Sequence, residues 1–290
     1  MQWSSHVCSV KHPHSATLTG GIATRTFLPS VPNGTHIVIA SATGVLQGYY
    51  KHFAVWMAER GYHLTTFDYS GIGESRLGSL RKHPATASTW AEEDLTGVIE
   101  HVYATYKPTK LIGMGHSIGG QFFGICKAQE KLDALVLIAS QHGHFRNWDL
   151  PHRRRISFQW LTLIPIFTRV FGYFPGKRLG VMEDLPPGMV HEWVKWGRSP
   201  GYLFDHVPGA HERYANLHVP LLFWSFSDDN DLAPKRAAEA LVKHYVNCTV
   251  THEHIHPADF GMKTIGHFGF FKKGGEDSLW PGLVERAKGM

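Results

Sequence analysis

A serine lies in a glycine-rich segment near the middle of this 290-residue chain. The segment reads LIGMGHSIGGQ over 111–121, and GHSIG within it matches the pattern G-x-S-x-G around Ser117. Glycine loses more backbone entropy on folding than any other residue, so this density indicates a sharp turn or a close approach of another element. An apolar run over 110–115 precedes the serine and a helical pattern follows it. We therefore expect a strand–turn–helix unit that presents the Ser117 hydroxyl as a nucleophile.

A serine hydroxyl is a weak nucleophile unless a histidine takes its proton and a carboxylate orients that histidine. Where the nucleophile lies on such a turn, the acid and then the histidine follow it along the chain. The apolar run over 219–226 leads directly into three candidate acids, Asp228, Asp229 and Asp231. The loop after the last predicted strand contains His267 in TIGHFGFF. The order and placement of these residues predict a catalytic triad.

Strand-like and helix-like segments alternate over most of the chain. Short apolar runs predict strands over 35–40, 63–67, 110–115, 133–140, 219–226 and 248–255. Helical periodicity predicts helices over 48–61, 88–106 and 118–130, another beginning at Pro234, and a last one near the C-terminus. A capping box from Thr89 to Glu92 is expected to begin the second helix. This alternation predicts an α/β fold with a mostly parallel sheet and helices on both faces.

The alternation breaks between residues 141 and 215, where Trp, Phe, Pro and Arg are frequent and strand patterns are absent. We expect a helical cap inserted between two parts of one core: residues 1–140, the cap at 141–216, and residues 217–290. The stretch 156–174 is the most apolar, but Pro165 and Arg169 interrupt it, so stable membrane insertion is not expected. Pro165 is also expected to break any amphipathic face that could touch a membrane surface.

Composition narrows the classes of function. The net charge of +5 is mild and the basic residues are mostly scattered, which argues against nucleic-acid binding. His252, His254 and His256 alternate along a strand and share one face, but no further ligand accompanies them, so no metal site is predicted. Three widely spaced cysteines, Cys8 among them, and a polar N-terminus without a secretory pattern favour the cytoplasm. The sequence does not define an oligomeric state.

Several motifs together resemble the α/β-hydrolase superfamily over nearly the whole chain except 141–215. They are the Ser117 segment, FDYSGIGES at 67–75, SDDNDLAP at 227–234 and IGHFGFF at 265–271. The combination is similar to a poorly characterised bacterial group of predicted hydrolases. The resemblance implies an α/β-hydrolase fold with a helical cap over the nucleophile. Asp68, within FDYSGIGES, is expected to bond backbone N–H groups of its own turn and not to act in catalysis.

The resemblance also directs the choice of acid and oxyanion hole. Related patterns place the aspartate four residues before the proline, where this chain has Asn230, so a one-residue insertion makes Asp229 the preferred acid. The N–H of Ile118 is expected to donate to the oxyanion. The family often has His-Gly after its first core strand, and this chain has Ala-Ser-Ala-Thr-Gly at 40–44. We expect Thr43 N–H to be the second donor, with Ala42 and Gly44 as alternatives.

The predicted site residues are thus Ser117, Asp229 and His267 for catalysis and Ile118 and Thr43 for the oxyanion hole. They predict a serine hydrolase that cleaves small or medium, moderately hydrophobic carboxylic esters through an acyl-enzyme, with no cofactor. The partner is then a small-molecule ester. Two alternatives stay open at this point: an acyltransferase that uses the same triad, and a non-catalytic ligand receptor on a hydrolase scaffold.

Overall fold

A computed structural model of the chain describes residues 14–17 and 21–290; Cys8 lies outside them. One eight-stranded sheet has the order β1-β2-β4-β3-β5-β6-β7-β8. The strands are β1 His14–Thr17, β2 Ala23–Phe27, β3 Thr35–Ala40, β4 His63–Phe67, β5 Lys110–His116, β6 Ala134–Ile138, β7 Pro220–Phe226 and β8 Thr249–Ile255. The pairs from β4 to β8 are parallel, and only β1 and β2 at one edge pair antiparallel.

Helices cover both faces of this sheet. They are α1 Lys51–Ala58, α2 Ala87–Thr89, α3 Thr96–Tyr106, α4 Ile118–Phe122, α5 Leu150–Phe158, α6 Ile164–Phe171, α7 Gly176–Leu179, α8 Pro187–Arg198, α9 Ala210–Ala215, α10 Lys235–Val242 and α11 Leu279–Ala287. A π-helical segment, Trp90–Leu95, joins α2 to α3. The predicted fold class, a mostly parallel sheet between helices, is confirmed.

The central strand β3 shows how the sheet divides the core. Successive side chains of a strand point to opposite faces, and every second residue of a fully covered strand is therefore buried on the same side. Ile37 and Ile39 belong to a hydrophobic cluster on one face. Val38 and Ala40 belong to the cluster on the other face, which also contains the buried aromatics of the cap. Because both faces of β3 are covered, its sequence, THIVIA, is almost continuously apolar.

Three local predictions were wrong or incomplete. The strands β1 and β2 were not predicted, because the short polar sequence ATRTF of β2 carries little apolar signal. The helix predicted over 118–130 ends at Phe122, since Tyr214 packs against Gly124 and Lys127 N–H donates to Thr96 Oγ1. Tertiary contacts there replace helical hydrogen bonds.

The capping box predicted from Thr89 to Glu92 lies one turn earlier. Thr89 N–H donates to Thr86 Oγ1 at 3.1 Å, and Thr86 N–H donates to Thr89 Oγ1 at 2.8 Å. The helix therefore begins at Ala87, and a threonine takes the place that the capping box usually gives to glutamate or glutamine.

The segment between β6 and β7 contains α5 to α9 and one short bridge between Phe174 and Leu185. Helix α5, a π-helical segment Gln159–Leu163 and α6 form one continuous helical stretch over 150–171. Pro165 therefore does not interrupt it, contrary to the prediction. Proline has no N–H group to bond the carbonyl one turn before it in a helix. The π-helical segment, whose hydrogen bonds join residue i to i+5, lies just before Pro165 and leaves room for that unbonded carbonyl. Across residues 14–17 and 21–290, no helix combines the length and apolar character needed to cross a membrane.

Candidate active site

Ser117 is the residue that joins β5 to α4. Its backbone has φ 55° and ψ −120°, a strained conformation for a residue with a side chain. Because β3, β5, β6 and β7 are parallel, their carboxyl ends meet at one edge of the sheet, and the loops that follow them meet there too. Ser117 stands at this edge, only 6% exposed, at the N-terminus of α4.

The glycines around Ser117 make the turn sterically possible. A Cβ on Gly115 would lie 2.3 Å from the Cα of Gly120, and a Cβ on Gly119 would lie 2.0 Å from the carbonyl oxygen of Ala40. Strand, turn and helix thus approach one another more closely than any side chain allows. The glycine pattern that drew attention in the sequence is required by this close packing.

His267 and Asp229 form a buried pair beside the serine. The Nδ1–H group of His267 donates to Asp229 Oδ2 at 2.6 Å. The second oxygen of Asp229 accepts from the backbone N–H groups of Leu232 and Ala233 at 3.2 and 3.1 Å. The carboxylate is thereby held by three donors, and the donated Nδ1 proton leaves the Nε2 lone pair of His267 free to accept a proton.

The loop at 41–44, which the sequence predicts to contribute to an oxyanion hole, lies near Ser117. Ala42 N–H already donates to Tyr50 Oη at 3.0 Å, which removes it from the candidate donors. The carbonyl of Gly44 accepts from Glu183 N–H at 3.0 Å, so the cap is bonded to this loop. Ala42 and Thr43 line the same pocket as Ser117. Thr43 N–H therefore stays the predicted second donor, with Gly44 N–H as the alternative.

A cavity of about 360 Å³ opens over Ser117 and His267. The sheet edge forms its floor, and the cap forms its walls. Its lining is mainly apolar and aromatic: Ala42, Thr43, Ser117, Gln141, Trp148, Ile156, Gln159, Trp160, Leu163, Ile164, Phe167, Phe174, Leu179, Val181, Met182, Trp193, Leu232, His267 and Phe268. We call it the pocket below. A serine and a histidine in an apolar cleft form an arrangement suited to an uncharged substrate.

Residues 33–165 match the model of a family described as serine aminopeptidase, S33. A monoacylglycerol lipase from Paleococcus ferrophilus has a TM-score of 0.60 at 16% identity, covering 91% of this chain and 97% of its own. A thermophilic esterase from Thermogutta terrifontis has a TM-score of 0.56 at 18% identity, covering 96% and 99%. This chain has the α/β-hydrolase fold. A search of curated proteins gave no match.

These similarities reach the fold of the α/β-hydrolase and not the roles of its side chains. The matched family segment contains Ser117, but it ends before Asp229 and His267. At identities of 16% and 18%, the solved structures show a shared chain fold alone. The catalytic roles therefore depend on the geometry given above.

The other two candidate acids have distinct partners. Asp228 accepts from the N–H groups of Ile265 and Gly266 at 2.8 and 2.9 Å, in the loop that carries His267. Asp231 is exposed and pairs with Arg155 and His152 of the cap. Neither caps the helix after Pro234. Asp228 holds the histidine loop, and Asp231 ties the acid loop to the cap.

We expect Asp229→Asn to fold normally and to lose about 10⁴-fold in kcat, because an amide at this position no longer fixes the working tautomer of His267. Asp231→Asn should change stability by on the order of 0.5 kcal/mol, since an exposed ion pair contributes little, and should keep the rate. Measuring kcat and thermal unfolding for both variants separates the roles.

The variant Asp228→Asn tests whether Asp228, and not Asp229, is the acid. Asparagine keeps one acceptor and turns an amino group toward a backbone N–H, so the His267 loop should loosen and kcat should fall about tenfold, that is by ~1.4 kcal/mol in the barrier. If Asp228→Asn lost several orders of magnitude while Asp229→Asn stayed active, the acid would be Asp228.

Sequence reasoning missed a buried hydrogen-bond chain beneath the site. Tyr50 Oη, which accepts from Ala42 N–H, lies 3.0 Å from His116 Nδ1. His116 Nε2 lies 2.9 Å from the carbonyl oxygen of His267. Only one set of roles satisfies every atom: His116 donates from Nε2 and accepts from the tyrosine at Nδ1. The chain connects the oxyanion loop, the serine turn and the histidine loop.

Burial keeps this hydrogen-bond chain uncharged. Burial and the neighbouring His267 lower the pKa of His116 to about 3, and burial raises the pKa of Tyr50 above its usual range. His116 therefore stays neutral, and Tyr50 keeps its proton, at any pH where the protein works. His116 is visible in the sequence as the residue before Ser117, but nothing in the sequence indicates its partners.

Gln141 is a second residue that the sequence did not indicate. Its side-chain Nε2 and Oε1 lie 3.4 and 3.5 Å from Ser117 Oγ. Its backbone carbonyl accepts from Gln121 Nε2 at 2.5 Å, which fixes the start of the loop after β6. A neutral donor and acceptor thus stand beside the Ser117 hydroxyl.

The other residues considered in the sequence, Asp68, His252 and His254, form hydrogen bonds with neighbouring residues. Asp68 accepts from the N–H of Glu74 in its own turn at 3.0 Å, as predicted, and also from the N–H of Gln47, outside that turn, at 2.7 Å. His252 Nε2 and His254 Nδ1 each lie 2.8 Å from Ser225 Oγ on the neighbouring strand. In the part of the chain that the structure describes, no three His, Cys, Asp or Glu side chains are grouped to hold a metal ion.

Proposed function

We propose that this α/β-hydrolase cleaves carboxylic esters of small or medium, uncharged and moderately hydrophobic substrates through an acyl-enzyme. The observation that carries the proposal is the 2.6 Å pair of His267 and Asp229 beside the strained Ser117, with Ser117 and His267 both lining one apolar pocket. The matched family and the shared fold support the broader assignment, a hydrolase with a serine nucleophile.

The first half of the reaction forms the acyl-enzyme. Ser117 Oγ attacks the ester carbonyl carbon, while His267 Nε2 takes the hydroxyl proton and Asp229 stabilises the resulting imidazolium. The carbonyl oxygen becomes an oxyanion, which the N–H groups of Ile118 and Thr43 stabilise. The imidazolium returns its proton to the leaving alcohol as the carbon–oxygen bond breaks. Removing one oxyanion donor typically costs about 3–4 kcal/mol in the barrier.

The second half repeats these steps with water. His267 takes a proton from a water molecule as its oxygen attacks the acyl carbon, and the same N–H groups hold the second oxyanion. Collapse of this intermediate breaks the bond to Ser117 Oγ, and the serine recovers its proton from His267. The carboxylic acid is released, and no cofactor takes part.

The pocket lining favours an ester over an N-terminal peptide or a phosphorylated substrate. Among the described lining residues there is no Asp, Glu, Lys or Arg. An aminopeptidase substrate brings a free ammonium group, and burying a charge without a partner is costly. The same cost applies to a phosphate. The apolar walls, with Trp148, Trp160 and Trp193 among them, instead favour an uncharged hydrocarbon group.

The experiment is a series of nitrophenyl esters of increasing acyl length, together with an aminoacyl nitroanilide. At 360 Å³ the pocket is at the small end of ligand cavities, so kcat/KM should peak at short to medium chains. The aminoacyl compound should be a poor substrate. Adding an alcohol and analysing the products distinguishes hydrolysis from acyl transfer, which would dominate if the site excluded water.

A variant of a pocket residue tests whether this cavity sets the preferred acyl length in the ester series. Leu163→Trp enlarges a side chain of the lining and should shift the optimum to shorter acyl chains. Leu150→Trp is the control, because Leu150 is exposed and outside the lining. Preference for the aminoacyl nitroanilide over all esters would contradict the proposal, and so would an unchanged optimum in Leu163→Trp.

A further inference from the structure

The outer surface of the cap has an unusual composition. Residues 150–182 contain six Lys or Arg residues and no Asp or Glu. The chain as a whole has 29 basic and 24 acidic residues, so this segment holds a much larger excess of positive charge than its share. Positive charge and exposed hydrocarbon occur together on one segment.

Large apolar side chains point out of this segment into solvent. Phe158, Ile166 and Val170 are exposed on the continuous helical stretch, with Val170 at 72%. Leu179 and Val181 are exposed as well, Val181 at 62%. Exposure of five such residues within 24 positions is costly, because each leaves apolar area in water.

This exposed surface continues into the pocket. Leu179 and Val181 line the pocket and are exposed at the same time, so they stand at its mouth. Leu232 and Phe268 do the same from the core side. An apolar group can therefore pass from the outer surface to the nucleophile without crossing a polar rim.

The cations of the segment are partly free. Arg155 pairs with Asp231, and Lys177 pairs with Glu183. In contrast, Arg154, Arg169 and Arg178 are exposed and have no carboxylate partner within the described residues. These three arginines flank the exposed apolar residues and are available to bind anions.

We propose that the outer surface of the cap docks on an anionic lipid surface. The cap surface is defined here as Arg154, Phe158, Ile166, Arg169, Val170, Arg178, Leu179 and Val181. The inference rests on the proposed ester hydrolysis in one respect only: the docked pocket mouth then faces the layer where acyl esters are dissolved. A helix that presents apolar and basic side chains together lies in a lipid interface, where hydrocarbon is buried and cations meet anionic headgroups.

The helix geometry makes this possible. Because the π-helical segment lets 150–171 continue through Pro165, Phe158 and Val170 belong to one unbroken rod. Docking along such a rod buries several apolar side chains at once, without the insertion that no described helix could achieve. The charge pattern selects anionic lipid over neutral lipid.

The test uses the full chain carrying Ser117→Ala, so that lipid turnover does not interfere with binding. Sedimentation with phosphatidylcholine vesicles, with and without phosphatidylglycerol, should show binding to the anionic vesicles that weakens as salt is raised. Adding Arg154→Gln, Arg169→Gln and Arg178→Gln together should weaken binding about 100-fold, since each cation near the surface contributes about one kilocalorie per mole.

A matched pair of variants tests the apolar part. Val170→Asp should weaken vesicle binding at least about tenfold, whereas Val246→Asp, at an equally exposed valine outside the cap, should not. In the chain with Ser117 intact, the arginine and valine variants should cleave a water-soluble short ester at the normal rate, since none of these residues lines the pocket.

Equal binding to neutral and anionic vesicles, absence of vesicle binding, or equal loss in the two valine variants would overturn the docking surface. Capture of an acidic protein without any vesicle binding would overturn it too. Vesicle binding without cleavage of any soluble ester would leave the docking surface standing and reject the proposed function. Cleavage of soluble esters without vesicle binding would do the reverse.

Discussion

Ser117→Ala should abolish covalent labelling by a fluorophosphonate probe and reduce ester turnover by about 10⁶-fold, as removing the nucleophile of a serine triad does. The variant should keep its fold, because alanine is smaller than serine and only long contacts to Gln141 are lost. The φ of 55° stays strained for either residue. Mass spectrometry of the labelled protein and kcat for a short nitrophenyl ester measure the two effects.

A matched serine provides the control. Ser140 is fully buried at the end of β6 near the same turn, but outside the pocket. Ser140→Ala should therefore keep probe labelling and most of the rate. Labelling that persists in Ser117→Ala would mean that another residue is the nucleophile, and the proposed mechanism would fail at its first step.

His267→Ala should also lose about 10⁶-fold in kcat, since a triad without its base performs about as poorly as one without its nucleophile. KM should change little, because an alanine leaves the apolar lining of the pocket in place. Asp229 would then lose its buried partner, and one fixed carboxylate would remain with two backbone donors. Thermal unfolding measured beside kcat separates this stability cost from the lost chemistry.

His256→Ala is the control for this prediction. His256 follows β8 in the same part of the sequence, but it is exposed and lies outside the pocket. It should keep full activity. If His256→Ala were the inactive variant while His267→Ala turned over ester, the terminal loop would have another function and the base would have to be sought on β8.

The fold and the central residues were predictable because their signals are local. The strands beside Ser117 and Asp229 are buried on both faces and appear as apolar runs. The turn at Ser117 needs glycines at fixed spacing, so a short motif reveals it. The structure brings Ser117 and His267 to one cavity and pairs His267 with Asp229 behind it. Their catalytic roles stay predictions for the variants above.

The features that were missed depend on distant pairings. Tyr50 meets His116 across 66 positions, and His116 meets His267 across 151 positions. Neither hydrophobic periodicity nor motif spacing in the sequence predicts contacts between residues so far apart. The choice between Asp228 and Asp229 depended on one carboxylate reaching an imidazole while its neighbour reaches two backbone N–H groups. The path of the cap through Pro165 depended on a π turn, which has no sequence signature of its own.

Glu183 N–H donates to the Gly44 carbonyl, and this bond should make the protein select substrates by reaction rate as well as by affinity. An ester too bulky for the pocket must displace the cap segment 181–183, and that segment is bonded to the loop that contains Thr43. Gly44 has φ 66°, and a Cβ there would lie 2.9 Å from Met182, so the junction has little slack. Oversized substrates should therefore pull Thr43 N–H, the proposed oxyanion donor, out of line and bind without being cleaved. Along the ester series, such selection would appear as a falling kcat at nearly constant KM.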